Sequence, residues 1–91
     1  MRFVWDHAKR LANIRKHGID FIDAVAIFEG DILTIEDNRV DYNETRLITL
    51  GLFKGHVMVV VHTEEKELIR IISVRKATRY EEKRYFKEIA D

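Results

Sequence analysis

The chain has 91 residues, of which 46% are hydrophobic and 35% are charged, and its formal net charge is zero. This length fits a single domain over residues 1–91 with a modest hydrophobic core. Cysteine is absent, which excludes disulfides and cysteine-ligated metal sites. The longest apolar run, residues 57–61, is too short to cross a membrane, and the N-terminal segment lacks signal-peptide features. We therefore expect a cytoplasmic protein that makes no membrane contact.

The first third of the chain is predicted to form a short strand and two helices. Residues 2–5 indicate the strand, and Asp6 is a good N-cap for a helix that ends at Gly18. Asp20 caps the second helix, which ends at Gly30. The apolar stripe of this second helix, at spacing i, i+3, i+4 and i+7, consists of Phe21, Ala24, Val25 and Phe28.

The middle of the chain is predicted to be β-structure. Apolar and β-branched residues indicate strands at residues 32–36, 46–53, 56–63 and 68–75. A tight turn at Lys54-Gly55 separates the second and third of these strands. The last strand is almost continuously apolar, which is typical of a strand covered on both faces.

A final helix is predicted to begin at Thr78 and to run to about residue 90. Thr78 and Glu81 match a capping box, in which each side chain accepts a hydrogen bond from the backbone N–H of the other residue. The order of elements predicts an α+β domain: an antiparallel meander sheet with two N-terminal helices and one C-terminal helix packed on it. One face of such a sheet can stay open to solvent or a ligand.

The histidines are candidates for acid–base chemistry because imidazole titrates near neutral pH. They lack the spacing of a metal motif, and no metal or other cofactor is predicted. His62 is the strongest candidate, and alternation places it on one strand face with His56, Met58 and Val60. It is either a general acid or base, or a structural histidine bonded to a backbone carbonyl. The position of His17 at a helix end is enough to explain that residue.

Two arginines at strand ends are candidates for binding phosphate. Arg46 begins one predicted strand and Arg75 ends another, and each guanidinium group can donate two hydrogen bonds to a phosphate. With Lys76 and Arg79 they would form a clamp where the strand meets the final helix. The N–H groups at the start of that helix, beginning at Thr78, would also favour an anion.

The same arginines have a structural interpretation. Arg46 can pair with Glu44, and Arg75 with Glu81, because strand-end arginines often make ion pairs. Strand alternation predicts that Arg75 shares its face with Ser73, Ile71 and Ile69.

The aromatic residues divide into two groups. Tyr42 and Tyr80 are candidates for stacking on RNA bases, which is a common way to hold single strands. Trp5 and Tyr85 are expected to complete the core.

Charge is unevenly distributed along the chain. Residues 20–44 contain eight acidic residues and one arginine, whereas residues 66–87 contain eight basic residues and three acidic ones. This segregation indicates either a polyanion-binding side with a separate acidic side, or two halves that pair with each other in the fold.

Three segments, WDHAKRLANIRKHGIDFIDAVAIF, DYNETR and RIISVRKATRYE, carry a recurring pattern. Together they resemble the BrnT ribonuclease toxins of type II toxin–antitoxin systems. The matching positions are Trp5, Asp6, Lys9, Asn13, Lys16, His17, Gly18, Phe21, Ala24, Phe28, Tyr42, Glu44, Arg46, Arg70, Ile71, Ile72, Ser73, Arg75 and Ala77. Asn43 stands where the pattern usually has glycine, and asparagine tolerates the positive φ that a turn needs there.

The resemblance implies a RelE-like fold and an endoribonuclease that cleaves mRNA and arrests translation. It also implies a BrnA-type antitoxin as partner, in a complex expected to be a heterotetramer, with operator DNA bound only through the antitoxin. We expect cleavage without a metal ion, by attack of the ribose 2′-OH to leave a 2′,3′-cyclic phosphate and a 5′-OH.

Roles in this chemistry are hypotheses. Arg46 and Arg75 would stabilise the phosphorane, and Glu44 or His62 would be the base. Flanking phosphates would contact Lys76 and Arg79, and bases would stack on Tyr80 and Tyr42. Two other classes of function fit the composition: a non-catalytic nucleic-acid-binding module, and a structural partner whose basic helix docks on an acidic protein.

Overall fold

A computed structural model describes residues 1–39 and 43–89. This part of the chain contains five strands and three helices. In chain order they are β1 (Arg2–Val4), α1 (His7–His17), α2 (Phe21–Ile27), β2 (Leu33–Glu36), β3 (Leu47–Phe53), β4 (His56–Glu65), β5 (Leu68–Lys76) and α3 (Arg79–Ile89). None of these helices is long and apolar enough to span a membrane.

The helix starts and the end of α1 arise from local capping, as predicted, but α2 ends at Ile27, before the predicted Gly30. The Asp6 carboxylate accepts from the N–H of Lys9 at 3.0 Å, and Gly18 ends α1 with φ 70°. At the start of α3, the Glu81 carboxylate accepts from the N–H of Thr78 at 2.8 Å, and the Thr78 hydroxyl accepts from the N–H of Glu81 at 3.2 Å. The predicted capping box is therefore confirmed.

The five strands form one sheet in the order β1-β5-β4-β3-β2. Strands β2 to β5 make the predicted antiparallel meander, but β1 pairs with β5 in parallel, so the sheet is mixed. The expectation of a purely antiparallel sheet was wrong because a strand's residue pattern specifies which face is buried and leaves its partner and direction open.

The helices cover both faces of the sheet, which corrects the expectation of one open face. We call one face the helix-pair face, since α1 and α2 pack there; its buried residues are Ile19, Phe21, Ala24, Ile27, Met58, Val60, Ile69, Ile71 and Val74. The other is the α3 face, whose buried residues are Ile48, Leu50, Val57, Val59, Val61 and Tyr85. Tyr85 anchors α3 by donating to the Asp31 carbonyl at 2.7 Å.

A bulge in β5 decides which way its C-terminal half faces. Val61 lies opposite Ser73, but the next residue of β4, His62, lies opposite Ile71, so one residue of β5 is extra. Arg75 therefore lies on the α3 face with Ser73, opposite Val59. The prediction that Arg75 shares a face with Ile71 and Ile69 was wrong, because unbroken alternation does not hold across a bulge.

Candidate active site on the α3 face

A carboxylate held between two guanidinium groups lies at one end of the α3 face. Glu44 accepts from Arg70 at 2.6 Å, and its other oxygen lies 3.7 Å from the Arg46 guanidinium. The Glu44 and Arg70 side chains are 37% and 41% exposed, whereas that of Arg46 is 22% exposed. We call these three residues the Glu44 site. Its carboxylate is positioned by charge on both sides and still reaches solvent.

The two arginines of the Glu44 site are positioned by the strand register. Leu47 pairs with His62, so Arg46 lies beside Thr63, and Thr63 pairs with Arg70 on its other side. Two strand spacings separate the Arg46 and Arg70 backbones, or about 10 Å. The site therefore rests on three neighbouring strands, and Glu44 reaches it from the loop before β3. Asn43 precedes it with φ 61°, the positive φ expected at that turn.

A buried carboxylate lies beside Arg46. The Asp37 side chain is fully buried, and its two oxygens accept from Arg39 at 2.8 and 3.0 Å. These hydrogen bonds, with a smaller contribution from the Arg46 charge, lower the pKa of Asp37. The backbone hydrogen bonding between β2 and β3 continues past Glu36, since the Asp37 N–H donates to the Arg46 carbonyl at 2.8 Å. Asp37 is thus ionised, and its negative charge stabilises the positive charge of the neighbouring arginines.

Arg75 is held by a bidentate ion pair. Its two terminal nitrogens donate to the two Glu81 oxygens at 2.8 and 2.9 Å, and one also donates to the Lys76 carbonyl at 3.2 Å. The Glu81 hydrogen bonds raise the pKa of Arg75, and Arg75 lowers the pKa of Glu81 to about 2. These contacts occupy three of the five guanidinium N–H groups, and two remain for a ligand.

The two arginines predicted to form a phosphate clamp share a face but not an end of it. Arg75 lies opposite Val59, which lies opposite Leu50, four residues along β3 from Arg46. At about 3.3 Å per residue, the backbones of Arg46 and Arg75 are therefore about 13 Å apart along the strand direction. Both of the alternative ion pairs, Arg46 with Glu44 and Arg75 with Glu81, are also present. Convergence on one phosphate stays a prediction, and Arg70 is the nearer partner of Arg46.

His62 is not part of this site. It is fully buried on the helix-pair face, where its ring packs edge-on against Phe28 at 5.1 Å. Its Nε2 bonds the Thr49 hydroxyl at 2.7 Å, and burial lowers its pKa. The shared face with Met58 and Val60 was predicted, but the same alternation puts His62 beneath α2. In this position its ring cannot contact a substrate on the α3 face.

The residues predicted to bind RNA are dispersed. Lys76 lines a cleft beside Arg75, whereas Arg79 and Tyr80 begin α3 on the surface, with Tyr80 75% exposed. The prediction for Tyr42 lies outside the described residues. The capping box already occupies the N–H groups of Thr78 and Glu81, so the expected anion site at this helix start is partly filled by the Glu81 carboxylate itself.

Sequence reasoning missed Arg70 as a site residue. A charged side chain inside an otherwise apolar strand was the available signal, since such residues are seldom buried without a partner. Here that partner is Glu44 from a loop 26 residues away, and only folding brings the two together. In the described parts of the chain, no group of three or more histidine or acidic side chains is arranged to bind a metal.

The Glu44–Arg70 contact also tests the two interpretations of charge segregation. Across residues 1–39 and 43–89 it is the one ion pair that joins the acidic segment, residues 20–44, to the basic segment, residues 66–87. The two segments therefore meet through charge at the Glu44 site, and they also meet where the Tyr85 hydroxyl donates to the Asp31 carbonyl.

One comparison with known proteins identifies relatives of this chain. The model of a family described as a ribonuclease toxin, BrnT, of a type II toxin–antitoxin system matches residues 5–81. The match spans Glu44, Arg46, Arg70 and Arg75. No curated protein sequence matches the chain.

Proposed function

The chain belongs to the BrnT family of ribonuclease toxins of type II toxin–antitoxin systems, and we propose that it is an endoribonuclease that cleaves mRNA at the Glu44 site without a metal ion. Cleavage of mRNA would inhibit translation, which accounts for toxicity. The observation that carries the assignment to this site is the exposed carboxylate fixed between Arg46 and Arg70.

The three groups of the Glu44 site match the needs of phosphodiester cleavage by an internal hydroxyl. The reaction requires a base near the 2′-OH and positive charge near the phosphate oxygens. Glu44 is the base in this proposal, and Arg46 and Arg70 stabilise the negative charge of the phosphorane. Guanidinium groups remain cationic at any physiological pH, so the site has positive charge without a metal ion.

The step forms one bond and breaks one. Glu44 takes the proton of the 2′-OH, and the 2′ oxygen bonds to phosphorus. The bond from phosphorus to the 5′ oxygen breaks, that oxygen takes a proton from water, and the proton held by Glu44 returns to solvent. The products are a 2′,3′-cyclic phosphate and a 5′-OH. Arg75 serves the neighbouring phosphate through the N–H groups that Glu81 leaves available.

The test is cleavage of end-labelled single-stranded RNA by the purified chain in the presence of EDTA. We expect 5′-OH and cyclic-phosphate ends, and a rate loss of about 100-fold or more in Arg46→Ala and Arg70→Ala, the size found when one charge-stabilising donor is removed. Arg84→Ala is the matched control, because Arg84 is exposed on α3 and, among the described residues, its ion pair is with Glu88 at 3.8 Å, away from the Glu44 site.

Two results would contradict the proposal. Full cleavage by Arg46→Ala and Arg70→Ala would remove the Glu44 site from the reaction, and inhibition by EDTA would exclude the metal-independent step. Binding of RNA with no cleavage would instead support the alternative of a non-catalytic nucleic-acid-binding module.

We propose an antitoxin of the BrnA type as the partner, in a heterotetramer that binds operator DNA through the antitoxin. The acidic segment, residues 20–44, offers carboxylates to a partner, because Asp23, Glu29, Asp31 and Glu36 make no ion pair with any described residue. Co-expression should abolish growth arrest, and light scattering of the purified complex should give its stoichiometry.

A RelE-like fold stays a prediction of the resemblance.

A further inference from the structure

The C-terminal half of β5 has α1 beside it where a strand would otherwise pair. β1 pairs only with Leu68 to Arg70, and the edge beyond is covered by the side chain of Asn13. The Asn13 amide donates to the Val74 carbonyl at 2.9 Å, and its oxygen accepts from the Val74 N–H at 3.1 Å. Asn13 also donates to the Ile19 carbonyl at 2.9 Å and is buried. α1 is therefore held at a fixed distance from this edge.

A groove runs between α1 and this edge. A cleft of about 480 Å³ is lined by Lys16, His17, Arg75, Lys76 and Thr78. A second, of about 200 Å³, is lined by Lys9, Ala12, Asn13, Lys16, His17, Ile72 and Ser73. They share Lys16 and His17, so we treat them as one feature, the α1–β5 groove.

Three lysines give the α1–β5 groove its positive charge, whereas the charge of Arg75 is balanced by Glu81. None of its lining residues is acidic, and its three lysines make no ion pair with any described residue. Lys9 and Lys16 are seven residues apart on α1, about 10.5 Å along one side of the helix. Lys76 faces Lys16 from the sheet side. Like charges gathered along a concave surface raise the local concentration of anions.

The shape and lining of the groove favour a nucleic acid strand over a protein segment. The core of a protein interface is rich in apolar and aromatic side chains, and this groove contains only Ala12 and Ile72 as aliphatic lining residues. Lysines and an arginine spaced along a channel instead match successive phosphates of a single strand. Arg75 lies at the end of the groove and on the same face as the Glu44 site.

We propose that the α1–β5 groove binds the phosphate backbone of the RNA strand that flanks the cleaved position, with Lys9, Lys16 and Lys76 as phosphate contacts. This rests on the proposed function for the identity of the strand, and it extends the substrate-binding surface to α1. Lys16 and Lys9 thereby become binding residues alongside Lys76.

The experiment measures binding of an uncleavable 2′-O-methyl single-stranded oligonucleotide by fluorescence anisotropy at several salt concentrations. Each phosphate contact to a single strand contributes about 0.7 to the slope of log affinity against log salt. We expect the double variant Lys16→Gln/Lys76→Gln to reduce the magnitude of this slope by about 1.4. The matched control is Lys54→Gln/Lys66→Gln, which removes two charges at exposed turn positions outside the groove.

The outcomes separate the groove from the nuclease centre. A smaller slope in the groove variant than in the control, restored by Lys16→Arg/Lys76→Arg, supports the groove even if the wild-type chain cuts no RNA. An unchanged slope, or an equal decrease in both double variants, would contradict RNA binding by the α1–β5 groove. It would not affect the proposal for cleavage at the Glu44 site. Unchanged RNA binding with weakened antitoxin binding overturns it in favour of protein docking. Circular dichroism confirms that each variant is folded.

Discussion

Two neighbouring residues of β4, His62 and Thr63, lie on opposite faces of the sheet and in opposite environments. His62 belongs to a polar chain on the helix-pair face, in which Thr34 bonds Thr49 at 2.8 Å and Thr49 bonds the Nε2 of His62 at 2.7 Å. Thr63 lies on the α3 face between Arg46 and Arg70. One step along the strand separates a polar group used for structure from charged groups that a ligand can reach.

Solvent access, more than intrinsic basicity, distinguishes Glu44 from His62 as a candidate base. An imidazole is the better general base near neutral pH, but burial keeps His62 neutral and away from solvent. A carboxylate is a weaker base, yet Glu44 is exposed and lies between two cations. The predictions below test this division.

The largest expected effect is on cleavage by Glu44→Gln. Removal of the proposed base should lower the cleavage rate by about 10²- to 10⁴-fold, the range for general acid–base catalysis. The melting temperature should change little, because the group is more than one-third exposed and such ion pairs contribute about 0–1 kcal/mol. Single-turnover cleavage and thermal melts measure the two effects. An active Glu44→Gln protein would require another base.

The converse is expected of His62→Ala. Loss of a fully buried ring leaves a cavity and removes one of the two hydrogen bonds of the Thr49 hydroxyl, so the free energy of unfolding should fall by about 2–4 kcal/mol. Cleavage per folded molecule should stay near wild type at a temperature where the variant is folded. Urea titration gives the stability. A folded variant that has lost cleavage would return His62 to the active site.

Gly51→Ala tests how tightly the helix-pair face is packed. A Cβ at Gly51 would lie 2.6 Å from Cγ2 of Ile27 and 3.1 Å from Cγ2 of Ile32, so α2 would have to shift. Overpacking of this kind costs about 1–3 kcal/mol. Gly30→Ala is the matched control, since its nearest atom, the Ile27 carbonyl oxygen, would be 3.9 Å away. Equal melting temperatures for both variants would contradict the tight packing.

The smallest expected effect is the pH dependence of Glu81→Gln. Glutamine can keep the cap at Thr78 but loses the charged pair with Arg75, at a cost of about 1–2 kcal/mol at neutral pH. Arg75 lowers the pKa of Glu81 from 4.5 to about 2, so the pair's stabilisation is complete above about pH 4.5 and is lost as pH falls toward 2. The difference in melting temperature between wild type and variant should shrink over that window. A difference that stays constant down to pH 2 would contradict the shifted pKa.

Local features of the fold were predictable because their causes lie within a few residues. Asp6, Asp20 and Thr78 cap helices where expected, since a cap needs only a side chain and the N–H groups that follow it. The turn at Lys54-Gly55 lies where expected, with φ of 51° and 81°. The strand predicted at residues 56–63 was too short, because Glu64 and Glu65 still pair with β5.

The amino-acid sequence by itself determined the order of the elements, the capping residues, and the family pattern that includes Glu44, Arg46 and Arg75. Only the tertiary structure decided that β1 joins β5 in parallel, that α3 covers the face opposite α1 and α2, and that His62 is buried. It also decided, through the bulge opposite Val61 and His62, that Arg70 and Arg75 lie on one face. The physical reason is that strand partners and bulges depend on contacts between distant residues, which side-chain periodicity along one segment does not encode.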